Sequence, residues 1–429
     1  MLEKSSFMKR GAVLVLLVLG LLLGAASART ESVLYTFCAQ NGCPDGAHPA
    51  AGLVLDQKGN LYGTTYQGGT HGGGAVFKLS PKGEETVLYS FCAQRNCTDG
   101  YSPFAGLVFD QKGDLYGTTY EGGAFSDCVG CGGGVVFKIT PKGKEIVLHS
   151  FNGTDGEYPL AGVVFDQKGN LYGTTFDGGS NSCYPYRGCG VVFKLTPEGK
   201  ETVLHSFDGT DGEYPSAGLV FDQKGNLYGT TSGGGAYPDC NPYAEGCGVV
   251  FKLTPEGKEI VLYSFCAQTN CTDGAFPYAG LVFDQRGNLY GTTAAGGTGN
   301  AGVVFKLTPE EKERVLYSFC AQPNCTDGVN PDAGLVFDQK GNLYGTTEGG
   351  GLYNYLCYDA TCGVAFKLSP KRKETVLYSF CAKTNCTDGE LPGAGLTLDR
   401  EGNLYGTTPL GGAHSGGGLG FGVVFKLTP

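Results

Sequence analysis

The chain has 429 residues, 41 acidic and 31 basic side chains for a net charge of −10, 74 glycines, 18 cysteines and no tryptophan. An acidic chain repels phosphate backbones and anionic lipid, which excludes nucleic-acid and membrane-surface binding as its main business. Glycine is spread evenly, with no charge block, linker or long helical pattern, so the length does not require several domains.

Lys4, Lys9 and Arg10 precede the apolar run AVLVLLVLGLLLG, and Ala26-Ser27-Ala28 follows it. A basic start, an apolar core and a small-residue site predict a secretory signal peptide at 1–28, cleaved after Ala28. An uncleaved anchor is the alternative, because the run approaches the lower limit of about 17 residues for a spanning helix. Residues 29–429 carry a net charge of −12 and are expected to form one domain, a secreted or periplasmic monomer without a membrane anchor.

The next run, SVLYTF (32–37), stands alone; after it one module repeats seven times. Its marker, GLVFDQKGDLYGTT around Asp110, recurs with the aspartate at 56, 110, 166, 222, 284, 338 and 399. Each unit holds four β-like runs, A to D. In the second unit they are AGLVFD (105–110), DLYGTT (114–119), GVVFKIT (134–140) and EIVLHSF (145–151). These runs are rich in Val, Leu, Phe, Tyr and Thr and bounded by Gly, Pro and Asp, as strands are. Seven four-stranded units predict an all-β, seven-bladed β-propeller; a β-solenoid, with shorter coils, is the competing architecture. The last unit stops after its third run, GVVFKLTP, so pairing 33–37 with 423–427 is expected to complete blade seven and close the ring.

The pattern GLVFDQKGNLYGTT, then GG, then GVVFKLTP resembles the Gloeo/Verruco tandem repeat of secreted bacterial proteins and covers nearly all of residues 29–429. The resemblance implies an extracellular bacterial protein. Some relatives carry an anchoring segment after the repeats, for which no counterpart is expected here. It brings no catalytic residues.

Every cysteine has a near neighbour. Five pairs follow the D run, Cys38–Cys43, Cys92–Cys97, Cys266–Cys271, Cys320–Cys325 and Cys381–Cys386. Four more lie in the B–C loops, Cys128–Cys131, Cys183–Cys189, Cys240–Cys247 and Cys357–Cys362. Units that lack one partner lack both: FNGTDG (151–156) and FDGTDG (207–212) are FCAQRNCTDG with four residues excised. Nine local disulfides are therefore expected in an oxidising compartment. Each five-residue lasso restrains the unfolded chain by roughly 2 kcal/mol. Cys128-Val-Gly-Cys131 alone resembles half a zinc site or a redox motif, but has no second CxxC or histidine pair. No metal or cofactor is expected.

The A–B turns (DQKGN and near-copies) and C–D turns are uniform, whereas every cysteine and nearly all length variation fall on the opposite face. A rigid scaffold with one variable face is how binding sites are usually mounted. That face carries Tyr184, Tyr186, Tyr237, Tyr243, Tyr353, Tyr355 and Tyr358, candidate platforms for sugar rings or protein partners. Thr-Asp-Gly aspartates are expected to ring it. Just before the Gly-Gly of successive B–C loops stand Gln67, Glu121 and Asp177, with Glu348 read as similarly placed in the sixth unit. Glu121 and Asp177 are the candidate catalytic pair for glycoside hydrolysis. His149 and His205 replace a strand tyrosine, a packing position. The expected function is non-catalytic binding of an extracellular polysaccharide or protein. The alternatives are a carbohydrate-active hydrolase or lyase and a structural envelope protein.

Overall fold

Short runs of β-branched and aromatic residues, punctuated by Gly, Pro and Asp, can bury themselves only by pairing with the next run along. The chain does this seven times in a computed structural model, forming seven four-stranded antiparallel sheets. The structure describes residues 30–125, 132–183, 188–237, 240, 246–352, 362–414 and 420–428. The second blade comprises β6 (Val108–Phe109), β7 (Leu115–Thr119), β8 (Val135–Ile139) and β9 (Glu145–Ser150), paired in that order. The seventh is built from β26 (Thr397–Leu398), β27 (Leu404–Thr408), β28 (Val423–Thr428) and, across the chain, β1 (Thr30–Thr36). Thr30 faces Thr428 and Thr36 faces Val423, so the orphan first run completes the last blade and the ring closes.

Adjacent blades are joined by a motif repeated around the whole ring. The penultimate Thr of each B strand donates to the Ala carbonyl ahead of the next blade's A strand, from Thr64 to Ala105 (3.0 Å) round to Thr407 to Ala51 (3.0 Å). Further out, the Phe that ends each D strand packs edge-on against the Phe of the next blade's C strand: Phe37 with Phe77, Phe91 with Phe137, Phe380 with Phe425. These rings are essentially inaccessible to solvent; each contributes roughly 1.5–3 kcal/mol through burial. The conserved geometry explains the glycine in LYGTT, since a Cβ on Gly117 would lie 2.7 Å from the Phe137 ring.

The A strands are innermost. Gly52, Gly106, Gly162, Gly218, Gly280, Gly334 and Gly395 approach one another in ring order, and a Cβ on Gly162 would meet the Gly106 carbonyl at 2.6 Å. The residues just before each A strand and just after each B strand therefore surround the mouth of the central channel.

Candidate active site

The two faces differ in what their carboxylates do. On the A–B face each DQKGN aspartate is consumed by its own turn. Asp56 Oδ1 accepts the Lys58 and Asn60 amides at 2.8 Å, and Oδ2 accepts Asn60 Nδ2 (2.7 Å) and the Tyr62 hydroxyl (3.2 Å). Clefts of about 560, 480 and 430 Å³ open between successive turns on this face. They are lined by these tied-up aspartates and by lysines such as Lys194, which lies over the Tyr172 ring.

The Thr-Asp-Gly aspartates do not ring the opposite face as expected. Asp99 is fully buried and holds the lasso from within, accepting the Tyr89 hydroxyl (2.8 Å) and the amides of Ala93 (2.9 Å) and Gln94 (3.2 Å). A carboxylate costs too much to bury unless such donors surround it. Seven disulfides are present among the described residues, five in the lassos plus Cys183–Cys189 and Cys240–Cys247. Cys128, Cys131 and Cys357 lie outside the described residues, as do Tyr184, Tyr186, Tyr243, Tyr353, Tyr355 and Tyr358. Tyr237 is described, and is 41% exposed.

Glu121 and Asp177 follow the B strands of successive blades. Each pairs through its backbone with the preceding D–A loop, Glu121 with Tyr101 and Asp177 with Glu157. Asp177 is 3% exposed, and its Oδ1 accepts the amides of Gly178 and Gly188, both at 2.6 Å. It ties down its B–C loop. Glu121 is half-buried, and that burial raises its carboxyl above the ordinary value. Glu348 is not their counterpart: Gly349 makes the equivalent bridge, to Val329. Glu348 sits one step earlier, at the channel mouth.

There it meets Asp332. Asp332 precedes the sixth blade's A strand and Glu348 follows its B strand, so the A–B hairpin delivers both to one place. The Glu348 amide donates to the Asn330 carbonyl at 2.9 Å and the Asp332 amide to the same carbonyl at 3.0 Å, which holds the two side chains close enough for the Glu348 charge to act on Asp332. Burial and then the Glu348 charge keep the Asp332 carboxyl well above the usual range. Asp332 Oδ1 has no partner among the described residues.

No other blade repeats this pair. The equivalent positions are Ala50 and Tyr66, Phe104 and Tyr120, Leu160 and Phe176, Ser216 and Ser232, Tyr278 and Ala294, Gly393 and Pro409. Instead, the early blades line the mouth with a continuous aromatic crescent. His48 stacks on Tyr66 (5.4 Å between centroids), Tyr66 on Phe104 (4.6 Å), and Phe104 meets Tyr120 edge-on (5.7 Å). Tyr120 then stacks on Tyr158 (4.8 Å), and Phe176 on Tyr214 (5.0 Å). Sequence reasoning sought tyrosines in the long loops and missed these. The available signal was the column of residues flanking each A–B hairpin, aromatic in early units and acidic only in the sixth.

Family models match residues 20–185, 129–356 and 240–429, together spanning all seven blades, with the Gloeobacter/Verrucomicrobia repeat. The chain belongs to that family. Among curated proteins no sequence match is found. One solved structure similar to this Gloeobacter/Verrucomicrobia repeat protein is the extracellular domain of a hybrid two-component system from B. thetaiotaomicron. Its TM-score is 0.54 at 15% identity, and the match covers 94% of this chain but 41% of that one. A gluconolactonase from Xanthomonas campestris gives 0.42 at 13% identity, with 93% and 89% coverage. A luciferin-regenerating enzyme gives 0.42 at 13% identity, with 94% and 95% coverage. These likenesses share a fold and assign no residue here. The expectation of a non-catalytic ring is corrected on this chain's own geometry: the sixth blade alone brings two carboxyls together and so breaks the ring's symmetry at one point.

A second set of carboxyls bears on stability. Glu85, Glu145, Glu313 and Glu374 open their D strands, each with an Oε1 that lacks a partner. Burial, and then the lasso aspartate of the preceding blade, pushes Glu85, Glu145 and Glu374 up to about 7 and Glu313 up to about 8. In the unfolded chain a glutamate titrates near 4.3. Between those values the folded state binds more protons than the unfolded, so stability is greatest below about pH 4.5 for this contribution and falls as pH rises to 7–8. Calorimetric melting temperatures are expected to fall from pH 5 to pH 8, with a flatter profile in Glu313→Gln. An unchanged slope in that variant would remove Glu313 from the account.

Proposed function

We propose that this protein is a secreted bacterial hydrolase acting on a carbohydrate-derived substrate at the channel mouth, with Asp332 and Glu348 as its acid–base pair. The observation that carries the reading is that the sixth blade alone, of seven, brings two carboxyls together at the end of its A–B hairpin. The ionised member can take a proton from water while the protonated member gives one to the substrate oxygen, as two-carboxyl hydrolases do. Glycosidases of either stereochemistry hold their carboxyls about 5 Å or more apart. A pair close enough for one charge to act on the other suits attack of water on an acyl carbon instead, so a sugar ester or lactone is the preferred substrate class. The aromatic crescent supplies flat apolar faces for a sugar ring, with tyrosine hydroxyls at its edge.

The test is to incubate the purified, oxidised protein with acetylated polysaccharides, feruloylated oligosaccharides and aldonolactones, following acid release by pH-stat. Acid release above the buffer rate supports the reading. Release of reducing or unsaturated ends without acid would move the chemistry to glycosidic cleavage, and no product from any substrate would overturn the catalytic assignment.

A further inference from the structure

Blades lacking a disulfide lasso differ at one more position. Where the lasso is present the D strand carries a tyrosine that donates to the lasso aspartate, as Tyr263 does to Asp273 at 2.7 Å. In the two without it the tyrosine is replaced by His149 or His205, with Nε2 3.1 Å from Asp155 Oδ2 and 2.8 Å from Asp211 Oδ2, respectively. The next blade contributes Glu201 or Glu259, whose Oε1 is buried and unpartnered. At the second of these places one ligand atom from each of His205, Asp211 and Glu259 lies within 4.8 Å of the others. The remaining charged group nearby, Asp208, is occupied by Thr210 and the Asp211 amide.

From this we propose that His205, Asp211 and Glu259 form a divalent transition-metal site, with zinc as its best-suited occupant, which staples the third blade to the fourth where the lasso disulfide is missing. One imidazole and two carboxylates form a donor set that zinc accepts. Ligand bonds near 2.1 Å place donors roughly 3.4 Å apart, so small side-chain rotations bring the three donors onto one ion. A cation there gives the buried Glu259 oxygen the partner it lacks and neutralises two facing carboxylates. It also links the end of one outer strand (His205), the loop after it (Asp211) and the start of the neighbouring blade's outer strand (Glu259). His149, Asp155 and Glu201 repeat the arrangement more loosely. Four-cysteine binding by Cys240, Cys247, Cys266 and Cys271 is a separate matter, because those sulfurs are consumed in two disulfides.

The experiment titrates the chelator-stripped, tag-free, oxidised full chain with cobalt(II), then displaces it with zinc, following the visible absorption of cobalt. Tyrosine is the residue other blades place here, so His205→Tyr is expected to fold; a native melt at pH 7 without metal checks this. The wild type is expected to develop the cobalt band and to melt several degrees higher with zinc. His205→Tyr and Glu259→Gln are each expected to weaken binding at least 30-fold and abolish the zinc-dependent melting shift, whereas His149→Tyr leaves both in place. No cobalt band at saturation, or equal affinity in His205→Tyr, would overturn the site.

Discussion

Asp332→Asn and Glu348→Gln are each expected to reduce kcat/KM for acyl hydrolysis by about 10²–10⁴-fold, the usual worth of a positioned acid or base. Both substitutions keep side-chain size and offer a hydrogen-bond donor, so melting temperature should change little, or rise in Asp332→Asn, which removes a carboxyl whose charged form burial disfavours. Glu121→Gln is expected to leave turnover within a factor of two, because Glu121 follows the second blade's B strand whereas the pair flanks the sixth blade's hairpin. The same rates measured on Asp177→Asn would be read through stability, because its carboxylate holds two buried amides. Normal turnover in both Asp332→Asn and Glu348→Gln would place the chemistry elsewhere. The pH profile offers an independent check: an acid and a base acting together make activity fall on both sides of its optimum, and either substitution is expected to remove one limb.

Deleting residues 30–37 is expected to cost at least about 5 kcal/mol, comparable with the whole stability of many domains. The deletion removes β1, strips Phe37 from its contact with Phe77, and leaves β28 as an unpaired edge between blades seven and one. An exposed edge of this length recruits strands from other copies. Urea denaturation should therefore lose its single steep transition, and light scattering should show oligomers. A synthetic peptide of sequence TESVLYTF, added in excess, should restore the monomer, because it supplies the same pairing without loop closure. A truncated chain that stays monomeric with an unshifted urea midpoint would show that the ring is held by its blade-to-blade phenylalanines alone.

The extent to which the sequence was informative differs from level to level for identifiable reasons. Strands, blade count and ring closure were legible because they are local or periodic: each hairpin is joined by a turn of fixed chemistry, and the orphan SVLYTF matched what the seventh unit lacked. The disulfides seen follow from the same locality, since each joins cysteines only five to seven residues apart in the chain. The candidate pair was not legible. Asp332 and Glu348 are separated by a hairpin, and a one-residue offset in aligning the B–C loops placed Glu348 with Glu121 and Asp177 when its backbone neighbours place it with Tyr66 and Tyr120. Period-two geometry makes such a slip decisive, because it moves a side chain to the other face. Burial, likewise, appears only after packing: the same Thr-Asp-Gly that reads as a solvated turn becomes, at Asp99, a closed carboxylate held by Tyr89 from the strand before it. What the sequence determined by itself was the ring and the face that varies. Which acids on that face are tied down and which two meet was decided only in three dimensions, where packing and the hydrogen-bond donors within reach set the surroundings of each carboxylate.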